Sequence, residues 1–204
     1  MTAATPEAIQ RGRCHFRVPK TGIQLWLTEL PTSSADTAST PPVIDTQSLI
    51  RDWLGSILGQ TLTPQDLART PQGKPYLRHH PLQFNLSHTR DCLVMAWHDH
   101  PQPLGVDIER RDRAAAFAAL ARRYFHPGEL RDWQQSPRHM QDETWLAIWT
   151  RKEAVLKAQG TGLRTDLKSI DTTQNPVLLQ EPRQLFRRHT LLTDEHIISV
   201  AWPD

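Results

Sequence analysis

The sequence predicts a mixed α/β protein made of two related lobes. Segments with helical periodicity alternate along the chain with short apolar runs of strand type. Two of these runs, Leu93–Trp97 and Ile197–Trp202, both end in Ala-Trp, as the closing strands of a repeated unit would. Because strands in general are rich in Val, Ile and Trp, shared composition without a repeat is a second explanation. The 204 residues, 38% of them hydrophobic, are enough to bury a core without disulfides or structural metals.

The first half of the chain is predicted to contain a strand, a helix and a turn-rich segment. Ile23–Leu30 is an apolar run of strand type, and the loop Pro31–Pro42 that follows is rich in Pro, Ser and Thr. Gln47–Leu58 is predicted to be a helix, because its apolar residues recur at spacings of three and four and Gly59 offers a stop. Thr63–Leu86 has many prolines and is predicted to be turn-rich.

The second half is predicted to contain strands and helices in alternation. In order, these are the strands Leu93–Trp97 and Gly105–Glu109, the helices Ala114–Tyr124 and Asp142–Gln159, and the strand His196–Trp202. A Pro/His turn, His98–Pro103, joins the first two strands, and Gly160 ends the longer helix. If the repeat is real, the two lobes are hinged near His98–Leu104, and a site between them is expected.

Composition and charge exclude several classes of protein. The net charge of +2 argues against a nucleic-acid binder that works by phosphate neutralisation alone, but it leaves room for a local site that binds a small polyanion. No apolar run approaches the roughly 20 residues that span a bilayer, and Met1–Lys20 lacks the apolar core of a secretory signal. Cys14 and Cys92 are too few for a disulfide framework. We therefore expect a soluble, cytoplasmic protein.

Two carboxylates share one face of the strand Gly105–Glu109. Side chains alternate along a strand, so Asp107 and Glu109 point to one side while Val106 and Ile108 point to the other. Neighbouring carboxylates repel each other unless a cation lies between them, and this favours a metal site. The alternative is the solvated outer face of an edge strand, which tolerates any charges.

The helix Asp142–Gln159 carries charged residues within its apolar arc. At about 100° per residue, one arc collects Trp145, Leu146, Ile148, Trp149, Val155 and Leu156. Lys152 falls near the middle of this arc, Glu153 lies inside its edge, and Lys157 follows one turn later on the flank. A buried unpaired charge is unfavourable, so these residues face a polar site, form a structural Lys–Glu pair, or extend their charged ends to water.

Together, Asp107, Glu109 and Glu153 supply three hard oxygen donors. Such a set suits Mg²⁺, which keeps its other octahedral positions for water and substrate phosphate. The sequence has no cysteine cluster for a thiolate zinc site. The pair His98 and His100 lies in a Pro-flanked turn and is interpreted as surface histidines.

Two short motifs add possible phosphate contacts. In Gly73-Lys74-Pro75 the glycine allows close approach of the backbone to a ligand and the lysine supplies a point charge, although a simple turn explains the same residues. Ser87 and His88, at the end of Phe84-Asn-Leu-Ser-His88, add hydrogen-bond donors.

These motifs, taken as a set, resemble the surfactin-type 4′-phosphopantetheinyl transferases. The set comprises Gly73-Lys-Pro75, Asn85-Leu-Ser-His88, Gly105-Val-Asp-Ile-Glu109, and Trp149-Thr-Arg-Lys-Glu-Ala154 with Lys157, and it spans nearly half the chain. The resemblance implies an α+β fold, a pseudo-dimer of two related lobes, each a small, mainly antiparallel sheet packed by a long helix. It implies lobes at 1–103 and 104–204, an active site between them, and a chain that acts as a monomer.

The resemblance also implies an activity. The family transfers 4′-phosphopantetheine from coenzyme A to a serine of an apo acyl or peptidyl carrier protein and releases 3′,5′-ADP. Mg²⁺ would be held by Asp107, Glu109 and Glu153, with Lys152 beside the metal and Lys157 neutralising charge on the phosphates. Coenzyme A would contact Gly73, Lys74, Pro75, Ser87 and His88. Glu153 or a metal-bound water is the candidate base for the serine hydroxyl.

The first third of the chain departs from the family pattern. No Lys or Arg lies between Leu30 and Arg51, where family members carry basic residues that grip the 3′-phosphate of coenzyme A. The candidates to replace them are Arg51, Lys20 and the group Arg11, Arg13 and Arg17. This departure leaves open a second interpretation, a relative that binds coenzyme A or a carrier protein without efficient turnover. A Mg²⁺-dependent phosphodiesterase or nuclease is a third, disfavoured by the low net charge.

The segment Arg113–Glu129 is the predicted surface for the carrier protein. Carrier proteins are acidic around the helix that follows their serine, so a basic and partly apolar face is expected beside the metal. Arg122, Arg123 and Phe125 are predicted to contact the carrier, whereas Phe117 and Leu120 are predicted to pack on the core.

Overall fold

A computed structural model describes residues 13–30, 46–160 and 165–204. Its strands are β1 (Arg13–Arg17), β2 (Gln24–Glu29), β3 (Leu67–Arg69), β4 (Pro75–Leu77), β5 (Gln83–His88), β6 (Cys92–His98), β7 (Gly105–Arg110), β8 (Val177–Gln180), β9 (Arg183–Leu192) and β10 (His196–Pro203). Its α-helices are α1 (Thr46–Leu58), α2 (Phe117–Tyr124), α3 (Pro127–Gln135) and α4 (Gln141–Gln159). Single 3₁₀ turns lie at Pro64–Asp66, Arg138–Met140 and Leu167–Ser169.

The strands form two four-stranded antiparallel sheets and a small ribbon. The first sheet has the order β1-β2-β6-β5, the second has the order β7-β10-β9-β8, and β3 pairs with β4. Both sheets share part of their chain order: a strand (β2 or β7), a helix (α1 or α4), and then a pair of strands (β5 and β6, or β9 and β10) of which the last lies between its partner and the first strand. The remaining strands, β1 and β8, lie at the edges. This order closes each sheet around its last strand.

Alternating side chains divide the core into layers. One face of β2 and β6 packs with α1, in a cluster that includes Trp53 and Met95. The opposite face, including Leu25 and Val94, packs against Val106 of β7 and its neighbours on β10, so the two sheets bury a shared apolar layer. The far face of the second sheet packs on α4 through two further clusters. The order of layers is helix, sheet, sheet, helix, with β7 buried between β5 and α4.

Gly105 allows β7 to lie directly on α4. A Cβ atom at this position would lie 2.1 Å from the carbonyl oxygen of Ala154 and 2.3 Å from the amide nitrogen of Ala158. Since no side chain fits there, glycine is required for this close approach. The contact sets the distance between the acidic face of β7 and the charged residues of α4.

The strongly periodic elements predicted from the sequence are confirmed to within three residues at either end. The turn-rich interpretation of Thr63–Leu86 is incomplete, because this segment contains β3, β4 and most of β5. The helix predicted from Ala114 begins at Phe117, and β1, α3, β8 and β9 were not predicted. The predicted loop Pro31–Pro42 lies outside the described residues. Within the described ranges no helix is long and apolar enough to cross a membrane.

Candidate functional site

The predicted acidic site forms where β5, β7 and α4 meet. Asp107 lies on the face of β7 that packs on α4, and Glu153 lies one helical turn before Lys157 on that helix. The edge strand β5 runs beside β7, and the side-chain oxygen of Asn85 accepts a hydrogen bond from the backbone N–H of Val106 at 2.8 Å. The first sheet thereby contributes side chains to a site that is otherwise built from the second.

Lys157, Ser87 and Asp107 form a closed triangle of polar contacts. The Lys157 ammonium donates to Asp107 Oδ1 at 2.7 Å and to Ser87 Oγ at 2.9 Å, and Ser87 Oγ donates to the same Oδ1 at 2.9 Å. Ser87 and Asp107 are buried, whereas the Lys157 side chain is 29% exposed. The ammonium is therefore held at the rim of the site, where it can also reach a ligand in solution.

The second oxygen of Asp107, Oδ2, is fully buried and accepts no hydrogen bond from any of the described residues. A buried carboxylate oxygen without a partner is unfavourable, so this atom offers a ligand position for a cation.

The pKa values of Glu109 and Glu153 are both raised, and the negative charge of Asp107 is a shared cause. The pKa of Glu109 is raised to about 7, chiefly by burial and also by the negative charge of Asp107, while Arg113, which pairs with Glu109, opposes the shift. Burial also raises the pKa of Glu153, and Asp107 again contributes to the increase. Each of these shifts means that the site would be stabilised by additional positive charge.

The donor set fits Mg²⁺, although its carboxylates do not converge as three ligands. Within the described residues, the carboxylate oxygens of Asp107, Glu109 and Glu153 do not all lie within 4.8 Å of one another. Cationic side chains hold two of the three: Lys157 binds Asp107 and Arg113 binds Glu109. The unpartnered Oδ2 and the raised pKa values are the features that fit a hard divalent cation.

The residues predicted to bind coenzyme A are distributed around this site. Lys74 Nζ donates at 2.9 Å to the backbone carbonyls of both Leu104 and Lys157, and burial lowers its pKa to about 8. Lys74 therefore joins β4 to the start of β7 and to the last turn of α4. Gly73 has the positive φ of 88° that its tight turn requires, and Pro75 begins β4. His88 is exposed at the end of β5.

The residues proposed to grip the 3′-phosphate are not collected into one basic group by the contacts described. Arg51 donates Nη2 to Ser48 Oγ at 2.6 Å within α1. Lys20 lies in the β1–β2 turn with a positive φ of 63°, and Arg17 ends β1. Arg11 lies outside the described residues.

Lys152 does not lie beside the metal site, and this prediction is wrong. Its side chain is fully buried, and Nζ forms an ion pair with Glu129 of α3 at 2.7 Å. Nζ also donates to the backbone carbonyls of Leu167 at 2.7 Å and Ile170 at 2.6 Å. The physical reason is the helical angle of about 100° between residues 152 and 153, which directs Lys152 to α3. The sequence had left a structural Lys–Glu pair open, but the partner is Glu129 and not Glu153.

Phe125 does not contribute to an exposed carrier surface, which corrects a second prediction. It is 2% exposed, and its ring stacks on Trp145 with a centroid distance of 5.4 Å. Arg122 and Arg123 are exposed at the end of α2, and Arg123 lies over the ring of Tyr124 at 5.2 Å. Phe117 and Leu120 are partly buried against the same aromatic cluster.

Three residues of the site and its support were not predicted: Asn85, Arg113 and Glu129. Asn85 lies within the Asn-Leu-Ser-His motif, and Arg113 follows Glu109 by four residues, so both carried a signal in the sequence. Glu129 carried none, because α3 itself was not predicted.

Comparison with known proteins finds similarity to 4′-phosphopantetheinyl transferases. Residues 103–201, just under half of the chain, match the profile of the 4′-phosphopantetheinyl transferase superfamily. The chain is 35% identical over 130 residues to the 4′-phosphopantetheinyl transferase AcpT of Escherichia coli strain K12. The aligned region covers 62% of this chain and 66% of that protein. Over these segments the chain is similar to 4′-phosphopantetheinyl transferases.

Two Bacillus transferases of the superfamily are also similar. The chain is 37% identical over 98 residues to the 4′-phosphopantetheinyl transferase psf-1 of Bacillus pumilus, covering 48% of this chain and 40% of that protein. It is 34% identical over 98 residues to a 4′-phosphopantetheinyl transferase of Bacillus subtilis, covering 48% and 42%. The chain thus spans just under two thirds of the Escherichia coli relative and less than half of either Bacillus relative.

The resemblance to 4′-phosphopantetheinyl transferases inferred from the motifs is confirmed. The matched segment contains β7 and α4, and with them Asp107, Glu109, Glu153 and Lys157. Lys74 and Ser87 lie before it, on the first sheet and its ribbon.

Proposed function

We propose that the protein transfers 4′-phosphopantetheine from coenzyme A to a serine of an apo carrier protein, as a Mg²⁺-dependent enzyme that acts as a monomer in the cytoplasm. The observation that carries this proposal is the triangle of Lys157, Ser87 and Asp107 beside the unpartnered Asp107 Oδ2. It combines a fixed cation for phosphate oxygens with a vacant ligand position for a metal. Transfer of a phosphorus group needs such positioning and neutralisation of charge more than it needs covalent chemistry by the protein.

Each residue of the site has a role in this proposal. Asp107, Glu109 and Glu153 would hold Mg²⁺, which when bound neutralises negative charge on the pyrophosphate of coenzyme A. Lys157 contacts the phosphate oxygens, and Ser87 keeps its ammonium in place. Glu153 is the proposed acceptor of the proton that the carrier serine loses, while the negative charge left by bond cleavage departs with 3′,5′-ADP.

The proposed architecture is a pseudo-dimer with lobes at 1–103 and 104–204. It is supported by the shared order of strand, helix and hairpin in the two sheets. The proposed site then lies between the lobes, with Ser87 from the first and Asp107 and Lys157 from the second.

A mass measurement tests the proposal. The full chain is incubated with coenzyme A, Mg²⁺ and an apo carrier protein, and the carrier is examined for the added phosphopantetheine arm. Addition that requires Mg²⁺ supports the enzyme. Binding of coenzyme A without addition supports the non-catalytic alternative, and cleavage of a phosphodiester without any transfer supports a hydrolase.

Replacing Lys157 with alanine should lower turnover by roughly 10²-fold while changing the affinity for coenzyme A much less. The reason is that charge on the phosphates increases as the bridging bond breaks, so the ammonium binds more tightly in the transition state than before it. Single-turnover rates and coenzyme A affinity, measured by calorimetry, separate the two effects. Lys168→Ala, on an exposed lysine, is the matched control. A loss of affinity with unchanged turnover at saturation would assign Lys157 to substrate binding alone.

Reversing Arg122 and Arg123 to glutamate should raise the KM for the carrier protein and flatten its dependence on ionic strength. Both arginines are exposed at the end of α2, and charges at the rim of an interface act mainly on the rate of encounter. The KM for coenzyme A should hardly change. Steady-state kinetics at several salt concentrations measure both constants.

The matched control for this pair changes the net charge by the same amount elsewhere. Arg78 and Arg183 are both exposed, and their reversal to glutamate adds the same negative charge at other places on the surface. If the control pair alters the carrier KM as much as the α2 pair does, net charge explains the effect and α2 is not the carrier surface.

A further inference from the structure

A second group of metal-ligating side chains lies at the opposite end of β7 from Gly105. Here the turn between β5 and β6 meets the start of β10, and Asp91, Glu195 and His196 come together. We propose that these three residues bind a divalent transition-metal ion of the Zn²⁺ type. This site shares no residue with the carboxylates Asp107, Glu109 and Glu153, and it does not depend on the transferase activity.

The spacing of the ligand atoms fits a tetrahedral ion. One ligand atom from each of the three residues lies within 4.8 Å of the other two. His196 Nε2 and Asp91 Oδ1 are 3.5 Å apart. That separation is long for a hydrogen bond, but two ligands of a tetrahedral Zn²⁺ lie about 3.4 Å apart when the bonds to zinc are about 2.0–2.2 Å.

His196 supplies the observation that points to a ligand. Its side chain is only 9% exposed, and among the described residues the buried Nε2 has no hydrogen-bond partner, its nearest carboxylate oxygen being Asp91 Oδ1 at 3.5 Å. A buried ring nitrogen without a partner is unfavourable, and its lone pair is available to a metal that approaches from the side of Asp91. Most surface acidic clusters lack such a group.

The charges around the cluster leave room for a cation. Arg110 binds Asp91 Oδ2 and lies 3.9 Å from Glu195 Oε2, but it also donates Nε and Nη2 to Asp112 at 2.7 and 2.8 Å, so its charge is divided among three carboxylates. Among the described residues, Asp91 Oδ1 accepts the hydroxyl of Thr89 at 2.7 Å and lies 3.5 Å from His196 Nε2, and a carboxylate oxygen has a second lone pair. Asp91 can therefore ligate through Oδ1 while Oδ2 stays on Arg110.

The donor types select the class of metal. One imidazole nitrogen with two carboxylates suits Zn²⁺ and similar ions, whereas Mg²⁺ prefers oxygen ligands and retains its waters. Glu195 is 67% exposed, so an ion can enter from solvent and keep a water at its fourth position. Because Asp91 lies in the turn between two strands of the first sheet and His196 begins β10 of the second, a bound ion would tie this turn to the second sheet and raise the thermal stability of the folded chain.

The test uses the untagged full chain, Co²⁺ as a spectroscopic probe and Zn²⁺ as competitor. We expect the visible absorption of tetrahedral Co²⁺, its loss on addition of Zn²⁺, and a rise in Tm with Zn²⁺ but not with Mg²⁺. Glu195→Gln, an exposed substitution that leaves folding intact, should weaken Zn²⁺ binding by roughly tenfold or more. Even residues that only hydrogen-bond to a metal ligand change metal affinity by about 10- to 100-fold when they are replaced. His196→Gln should remove the Co²⁺ spectrum.

Two controls locate the ion. Asp194→Asn changes the exposed acidic neighbour of Glu195 and should bind Zn²⁺ like the wild type. His100→Gln removes an exposed histidine of the 98–103 turn and should also have no effect. The proposal is overturned if Glu195→Gln binds as the wild type does, or if His100→Gln abolishes binding.

Discussion

Asp107→Asn should lower the rate of phosphopantetheine transfer by about 10²- to 10³-fold, the usual cost of removing one preorganised electrostatic group from a site of this kind. The substitution keeps the shape of the side chain, and the amide oxygen can still accept from Ser87 Oγ. It removes the charge that holds Lys157 and the unpartnered oxygen proposed for Mg²⁺. The rate is measured by mass at limiting and at saturating Mg²⁺.

The same substitution should leave the free energy of unfolding unchanged or raise it. Asp107 increases the pKa of both Glu109 and Glu153, which means that the three carboxylates repel one another in the folded chain. Removing one negative charge relieves part of this repulsion, although it also weakens the pairing with Lys157. Urea unfolding measures the balance, and Asp132→Asn, at an exposed position on α3, is the matched control. Near wild-type transfer at limiting Mg²⁺ would contradict the three-carboxylate site.

The sequence predicted those parts of the fold in which a single strand or helix determines its own pattern. α1 is amphipathic on its own, and β7 alternates Val106 and Ile108 with Asp107 and Glu109, so both could be identified locally. β5 and β9 could not be identified from their own sequences, because their polar and basic residues are held in a strand by pairing with β6 and β10. α3 depends on a capping box between His126 and Glu129, which only the folded segment reveals as a helix start.

The residues of the site also fall into those that the sequence predicted and those that it did not. Asp107, Glu109, Glu153 and Lys157 were predicted as a group because each lies at a position that the period of its strand or helix defines. Phe125 was assigned to the surface because one helical turn of basic residues adjoins it, whereas the aromatic cluster around Trp145 buries it. Sequence periodicity describes one element at a time, so a role that depends on a second element remains undetermined.

Lys152 is the residue where this limit matters most, and its replacement should have the largest effect on stability. Lys152→Met is expected to lower the free energy of unfolding by about 3–5 kcal/mol, because it leaves the buried carboxylate of Glu129 without its ammonium partner. Burial lowers the pKa of Lys152, and the charge of Glu129 works against that shift, so Glu129 favours the charged form of Lys152. Lys168→Met, on an exposed lysine, should unfold like the wild type.

A double-mutant cycle distinguishes the ion pair from a general effect of burial. Glu129→Gln alone should also be strongly destabilising, since it leaves the Lys152 ammonium buried with only the carbonyls of Leu167 and Ile170. The double variant should lose less stability than the sum of the two single losses, because neither charge is then left alone. It will not regain the stability of the wild type, since the backbone N–H groups of His126 and Thr172 both donate to Glu129.

The activity of the same variants tests the corrected role of Lys152. Well below their unfolding temperatures, the folded fraction of Lys152→Met should transfer phosphopantetheine within a few-fold of the wild-type rate, because Lys152 Nζ contacts Glu129 and the carbonyls of residues 167 and 170 instead of the acidic site. Transfer rates are normalised to the folded fraction measured by circular dichroism. A Lys152→Met protein that is as stable as the wild type and yet has lost transfer would return Lys152 to the reaction and remove the ion pair from the account of stability.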